Sequence, residues 1–429
     1  MRVVVVVCAL TTARRAAGAT RRAVIGFDVG TESVRAGLFD AENGEMLASQ
    51  SVPHETRFPA PGYAEQSPDD WWRGMGEACR GVVAGADCDV VGVCLAATSC
   101  TVTACKRDGT PLRDCLLWMD ARAAAESDEI LRQGRGDPAL SVNCGGAGPI
   151  SAEWFLPKAL WLKKNEPEVF DAADVLCECQ DWLNHKCTGE WVAGGCNVAS
   201  RWHCDGKAAV ESGEGPFAGR PTSLLEKIDL AALGGKWPKR CVAMGDLAGS
   251  LTAEAAAHLG LKAGTPVAQG GADAFVGLVG LGTATQGGVG VITGSSSLHL
   301  AVAPACDVDD PGAPGVWGPY RGAPLAELSM SEGGQSTTGA ALQWARRLFG
   351  AAGNQDAGPD GASFEALEEA AAALPVGAEG CSALETFQGA RTPVTDPLAR
   401  GALYGLTLKH SRAHVWRALL EATALGTRA

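Results

Sequence analysis

The chain is poor in the features that mark several special classes. Its 16 cysteines include no C-x-x-C pair. The closest spacing is Cys177-x-Cys179, with His185, Cys187, His203 and Cys204 the nearest other ligand types, and a zinc site needs pairs at recognisable spacing. The thiols read as small core residues in a reducing compartment. No basic block interrupts a balance of 36 Lys and Arg against 49 Asp and Glu, net −13. Nucleic acid is therefore not an expected partner, and any phosphate must be attracted by local loops rather than by the overall field. No stretch reaches the roughly 20 apolar residues of a membrane helix. The longest approach to one, Val3 to Leu10, lies in "MRVVVVVCALTTARRAAGATRR", which has no acid and five arginines. Residues 1–22 read as a disordered or targeting segment and stand outside the fold. The cytoplasm is the expected compartment, with an organelle the alternative if this segment is a transit peptide.

What remains is ordinary for a globular protein with real cores: 46% hydrophobic and 20% charged residues. A length of 429 residues suggests two or three domains. From Ala23 strands alternate with turns. "AVIGFDV", "GTES", "VRAGLFD", "AENGE" and "MLASQSV" predict an antiparallel meander, with Asn43-Gly44 as a hairpin turn. No helix follows the first glycine turn, which excludes a dinucleotide fingerprint, and the Walker pattern G-x-x-x-x-G-K-[ST] is absent. Ser67 and Pro68 predict a helix start. A strand is expected over Val90–Ala97, and a helix after Ile150 in "ISAEWFLPKALWLKKNEP". "VAQGGADAFVGLVGLG" reads as strand, glycine turn and apolar helix. "GGVGVITGSSSLHLAV" repeats the opening strand–turn–strand device about 260 residues later. "SEGGQSTTGAALQWARRLFG" reads as a third glycine turn opening a helix. Residues 350–363 read as a surface insertion. Two domains follow, 23–288 and 289–429.

Glycine-hydroxyl turns suit phosphates, because backbone N–H groups can approach anions and hydroxyls add donors. Phosphoryl transfer needs little more than such turns, Mg²⁺ and a base for the attacking hydroxyl. Asp28, Gly30, Thr31 and Ser33 fit one turn; Thr293, Gly294, Ser295 and Ser296 fit another. Either alone is more simply a hairpin with a polar turn, but together they suggest a nucleotide held by two lobes. Asp273, beside Gly270 and Gly271 where backbone can crowd a ligand, is the candidate general base. An N-cap aspartate is the plainer reading and is compatible with it. Asp120 and Arg122 offer an acceptor and a fork of donors to a polyol, although alone they read as a surface ion pair. Trp118, Trp71 and Trp72 read as core residues rather than sugar platforms.

The motifs "FDVGTESVRAGLFD", "GYAEQSPDDWW", "ATSCT", "LWMDARA", "QGGADAFVGLVGLG", "TGSSSLHL", "EGGQSTTGAALQW" and "RTPVTDPLARGALYGLTL" together resemble the FGGY carbohydrate kinases over residues 23–429. The wording of "TSCT" and "EGGQS" is most similar to the ribulokinase branch. The resemblance implies an α/β, actin-like (ribonuclease H-like) two-domain fold and ATP-dependent phosphorylation of a pentulose, D-ribulose first, with Mg²⁺. Asp28, Gly30 and Thr31 would face metal and phosphates, Asp273 would be the base, and Thr293, Gly294 and Ser295 the second phosphate turn. Gly333 and Gly334 would line the nucleotide cleft. Thr98, Ser99, Asp120, Arg122, Arg201 and Glu332 would contact sugar, although Glu332 alone could be a solvated loop acid. A homodimer is left open. The family's glycine-rich adenine segment is expected after the helix beginning near His414, so the C-terminal lobe reads as incomplete, with exposed apolar surface expected on "HVWRALLEATAL". The rival reading is a non-catalytic sugar-binding pseudokinase. A chaperone-type ATPase of the same superfamily has no use for "LWMDARA" or "GGADAF".

Overall fold

The computed structural model describes residues 20–140, 150–212, 219, 221–307, 310, 312–350, 363–396 and 399–429. Most of residues 1–22 and of the 350–363 segment lie outside them. The chain divides into two units: Met1–Gly288 with Val302–Pro311 and Gly318–Met330, and Val289–Ala301 with Gly312–Trp317 and Ser331–Ala429.

The first unit is built on a six-stranded mixed sheet. Its members are β1 (Arg21–Val29), β2 (Ser33–Asp40), β3 (Met46–Pro53), β4 (Cys88–Ala97), β5 (Leu247–Ser250) and β6 (Pro266–Ala268), in the order β5-β6-β4-β1-β2-β3. The meander β1-β2-β3 is antiparallel, while β4 runs parallel to both β1 and β6. The β2–β3 turn uses Gly44 at φ 75°, a conformation that glycine adopts without steric cost. Helix α1 (Pro68–Val83) starts at Ser67 with proline in its first turn. Its buried Trp71, Met75, Ala78 and Val82 follow a helical period. They join Ile25, Phe27, Val34 and Leu38 of the sheet in one core. Burying each such large side chain contributes about 1.5–3 kcal/mol.

Helix α2 (Phe155–Asn165) buries Phe155 to Leu162 without a break. Helix α3 (Cys179–Thr188) follows the strand Val175–Glu178, and its start is closed by reciprocal bonds of Glu178 and Asp181. The short helix α4 spans Gly195–Arg201 and α5 spans Asp273–Gly280. A small antiparallel sheet in the order Glu65–Gln66, Cys115–Leu116, Val102–Cys105, Val175–Glu178 carries the loops around Ser99 and Trp118. The described cysteines are mostly buried. Burial pushes the thiols of Cys100 and Cys196 up to about 12, so they behave as inert core groups.

Apart from residues 302–304, β7 (Val289–Thr293) and β8 (Ser297–Pro304) belong to the second unit, and they form an antiparallel hairpin with Thr293 opposite Ser297. Strand β9 (Leu328–Gln335), in the second unit from Ser331 on, and that unit's helices α6 (Gly339–Gly350), α7 (Phe364–Ala372) and α8 (Arg412–Arg428) follow. Ala345, Leu367, Ala371, Trp416 and Leu419 make its core. The apolar exposure expected on "HVWRALLEATAL" is therefore mostly misplaced, since Trp416, Ala418, Leu419 and Ala422 are buried and Leu425 alone is among the large exposed side chains. The larger exposed set precedes the helix, at Tyr404, Leu406 and Leu408. Among the described residues no helix is long and apolar enough to cross a membrane.

Candidate functional site

The turn between β1 and β2 is one half of the predicted phosphate device. Asp28 lies directly across from Arg35 in the ladder, and Arg35 Nη1 donates to Asp28 Oδ2 at 2.7 Å. Gly30 N–H closes the turn on the Ser33 carbonyl at 3.1 Å. The hairpin does not need glycine for shape. Gly30 has no left-handed φ, and a Cβ there would meet its nearest neighbour, Arg35 Nη1, at an ordinary 3.6 Å. Gly30 is itself buried. Ser33 is likewise buried, at the head of β2. The turn is fixed from outside, because the Thr31 carbonyl accepts from Gln66 Nε2 at 2.6 Å and lies 3.2 Å from His54 Nε2. Thr31 Oγ1 accepts from the indole N–H of Trp118 at 3.0 Å. Trp118 is half-buried rather than a core residue.

Asp273 arrives on the other side of β4. Gly271 O accepts from Ala97 N–H at 3.2 Å, which lays the chain along the end of the sheet. Both glycines serve protein contacts rather than ligand contacts: a Cβ on Gly270 would sit 2.0 Å from the Leu95 carbonyl, and one on Gly271 2.5 Å from Cys196 Sγ. Asp273 is the first residue of α5, and the N-cap position belongs to Ala272. Its Oδ1 accepts from Ala274 N–H at 2.7 Å. The carboxylate is raised from 3.8 to about 6, first by burial and then by the charge of Asp28. Yet the residue itself is exposed. The like charge of Asp28 raises the carboxyl in addition to burial. An exposed carboxylate raised to about 6 beside a second acid is suited to take up a proton near neutral pH.

The sugar candidates fall in three settings. Thr98 and Ser99 follow β4; Thr98 N–H donates to Val29 O at 3.1 Å and its hydroxyl meets Thr101 Oγ1 at 2.9 Å. Ser99 is half-buried. Asp120 and Arg122 are not a surface pair. Asp120 is fully buried, Arg122's side chain is 2% exposed, and the two meet at 2.7 Å. Asp120 also accepts from Ala64 N–H at 2.6 Å, while Arg122 reaches Glu65 at 2.8 Å and lies 3.8 Å over the Tyr63 ring. Arg201 is buried, bonded to the Tyr320 hydroxyl. In the second unit Glu332 is buried on β9, so it is not a solvated loop acid.

Two buried charges behind these loops escaped sequence reasoning. Lys158 Nζ donates to the carbonyls of Cys100 at 2.8 Å, Leu117 at 2.6 Å and Trp118 at 3.3 Å, tying two candidate loops together. Glu178 accepts from Cys100 N–H at 3.1 Å, Asn197 Nδ2 at 3.1 Å and Trp202 Nε1 at 2.7 Å. Asn197 Oδ1 in turn accepts from Ala272 N–H at 3.0 Å, the residue before Asp273. The available signal was a lysine inside the unbroken apolar run "FLPKALWL": a buried ammonium needs partners.

The hairpin turn of the second unit is braced by its own helix. Gly294 O and Ser295 O accept from Gly339 N–H at 3.1 Å and Ala340 N–H at 3.0 Å, the first donors of α6. The turn Thr293-Gly294-Ser295 thus has its carbonyls spent. Gly333 and Gly334 do not form a glycine turn. They lie within β9, where Thr392 Oγ1 donates to Gly334 O at 3.0 Å and accepts from Gly334 N at 2.7 Å.

Comparison with known proteins places the chain in a family. Residues 23–205 match the model of the FGGY family of carbohydrate kinases, N-terminal domain, and residues 289–429 match the C-terminal domain. A ribulokinase of Shouchella clausii is 31% identical over 447 residues, covering 95% of this chain and 76% of its own length. An FGGY carbohydrate kinase domain-containing protein of Danio rerio is 30% identical, covering 94% and 78%. The crystal structure of a xylulose kinase from Rhodospirillum rubrum superposes with a TM-score of 0.74 at 28% identity, covering 95% of this chain and 78% of that one. A glycerol kinase from Plasmodium falciparum with ADP shares the fold, with a TM-score of 0.75 at 16% identity, covering 95% and 77%. The chain belongs to the FGGY family of carbohydrate kinases. It is a phosphotransferase with an alcohol group as acceptor and the actin-like α/β fold of its family, in which ATP is the phosphate donor.

Proposed function

We propose that the protein phosphorylates the terminal hydroxyl of a pentulose, D-ribulose first, with Asp273 as general base. The observation that carries this reading is the open Asp273 carboxylate, raised to about 6 beside Asp28. The ribulokinase names among the relatives support the sugar class; xylulose kinases among the related structures keep that sugar in the test. In the reaction the sugar O–H gives its proton to Asp273 Oδ. The oxygen's electron pair forms the new O–P bond while the bond from the γ-phosphorus to the ADP oxygen breaks, leaving ADP. Thr31 of the Gly30-Thr31 turn supplies one hydroxyl to the transferred group, and the Thr293-Gly294-Ser295 turn is the second candidate phosphate holder. Thr98, Ser99, Asp120, Arg122, Arg201 and Glu332 remain sugar-site candidates. The buried pair Asp120–Arg122 acts here by shaping the loop.

Among the described residues no group of three or more His, Cys, Asp or Glu side chains could hold a metal ion unaided. An Mg²⁺ bound mainly through nucleotide phosphates asks for only one or two carboxylates. Asp28, with Asp273 near enough to feel its charge, fits that demand. When bound, the ion neutralises charge on the phosphates. The test is ADP release with D-ribulose, L-ribulose, xylulose and glycerol, comparing the wild type with Asp273→Ala. Release with none of these sugars would sink the proposed substrate class. A variant with near wild-type rate would remove Asp273 from the mechanism.

A further inference from the structure

The Trp118–Thr31 hydrogen bond is used by nothing described so far. It joins residues 87 apart in sequence, one in the loop of the sugar motif "LWMDARA" and one in the phosphate turn. Both ends are held. Trp118's backbone lies in a turn closed by Asp120 N–H on Leu117 O at 3.0 Å. The buried Lys158 ammonium binds the Leu117 and Trp118 carbonyls from behind. Thr31's carbonyl is gripped by Gln66, so its backbone cannot turn to follow another partner.

The chemistry of the pair has a direction. An indole N–H is a donor only, and a threonine hydroxyl has one proton and two lone pairs. Trp118 therefore occupies a lone pair of Oγ1 and fixes the side-chain rotamer. The one proton of Thr31 must then point elsewhere, and among the described residues it has no protein acceptor. We propose that Trp118 is a positioning residue that aims the Thr31 O–H at the transferred phosphoryl group, linking the sugar-site loop to the phosphate turn. This rests on the kinase reading above. The ligand addressed is an anionic phosphoryl oxygen, to which a pre-aimed hydroxyl is a charge-assisted donor.

Trp118→Phe keeps the ring and removes the donor, and Thr31→Val removes the acceptor while keeping the shape. With the best sugar of the panel, Trp118→Phe should lower kcat about tenfold and leave the KM for sugar within about twofold. Thr31→Val should cost at least as much, and the double variant should be no worse than Thr31→Val alone. Effects that multiply in the double variant overturn the proposal. So does a change in sugar KM alone, or an unchanged kcat in Trp118→Phe. A wild type without sugar-dependent ADP release overturns the kinase reading and this inference together, whereas an active wild type matched by Trp118→Phe overturns only the inference. Should Trp118→Phe fail to fold, indole ¹⁵N–¹H spectra decide. One of the 12 tryptophan indole signals should move in Thr31→Val, and a spectrum in which none moves refutes the bond.

Discussion

The sharpest test of the site is the acid limb of its pH profile. Asp273 has its carboxyl raised from 3.8 to about 6. A general base works only when deprotonated, so kcat/KM for the sugar should fall below pH ~6 with a slope approaching one decade per unit. At pH ~5 the wild type should retain about one tenth of its plateau. The causes of the shift make the limb movable. Burial is the larger, and Asp28's charge is next. Asp28→Asn removes a like charge and frees the Arg35 guanidinium, and both changes favour the ionised form of Asp273. The limb should drop by about one unit, so the variant should keep about half of its own plateau at pH ~5. Arg35→Met has the opposite sign, since Arg35 holds Asp273 down, and its limb should rise.

Asp28→Asn also disturbs the phosphate turn, so its plateau will fall. The position of the limb, normalised to each plateau, is the quantity that tests the reasoning. The measurement is coupled ADP release at saturating ATP from pH 4.5 to 9 (an experimental range of about 4.5 units, wide enough to bracket a carboxylate limb). Asp273→Asn should abolish the limb along with about 10²–10⁴ of the rate. A wild-type limb near 4, or a limb at the same pH in wild type and Asp28→Asn, would refute the electrostatic coupling of the two acids.

Glycines 30 and 270 should part company. Gly30→Ala meets only ordinary contacts, so its stability in urea should stay within about 0.5 kcal/mol, while its rate falls about tenfold or more. Gly270→Ala drives a Cβ into the Leu95 carbonyl and should lose about 2–4 kcal/mol by the same measurement. Lys158→Met leaves three carbonyls without their donor and should cost about 2–4 kcal/mol, seen as a lower urea midpoint. Asp273→Asn should be more heat-stable than wild type, but only in part of the pH range. A carboxyl raised on folding destabilises its ionised form, a penalty absent below about 3.8 and complete above about 6. Differential scanning calorimetry should therefore show a higher Tm for the variant at pH ~8 and equal values at pH ~4.

The meander β1-β2-β3, the start of α1 at Ser67-Pro68 and the β7–β8 hairpin were legible because their causes are local: alternation, a turn residue, a cap. The misreadings all depend on residues far along the chain. Gly333 and Gly334 look like a turn, but Thr392 holds Gly334 in a strand from 58 positions away. Asp120 and Arg122 look like a surface pair, but Tyr63, Ala64 and Glu65 cover them.

Glycine makes the point most sharply, because one letter stands for opposite demands. At Gly270 the missing Cβ lets one backbone touch another, so the requirement belongs to the fold. At Gly30 a Cβ would meet only ordinary contacts, the nearest at 3.6 Å, and φ is ordinary. A glycine that neither conformation nor contact requires is unexplained by the protein alone. In a kinase, beside Asp28 and the unspent proton of Thr31, the simplest remaining cause is a ligand that must come close. In the proposed reading, the candidate phosphate turn is marked by a glycine that the fold does not require and by a Thr31 proton that no protein group among the described residues takes.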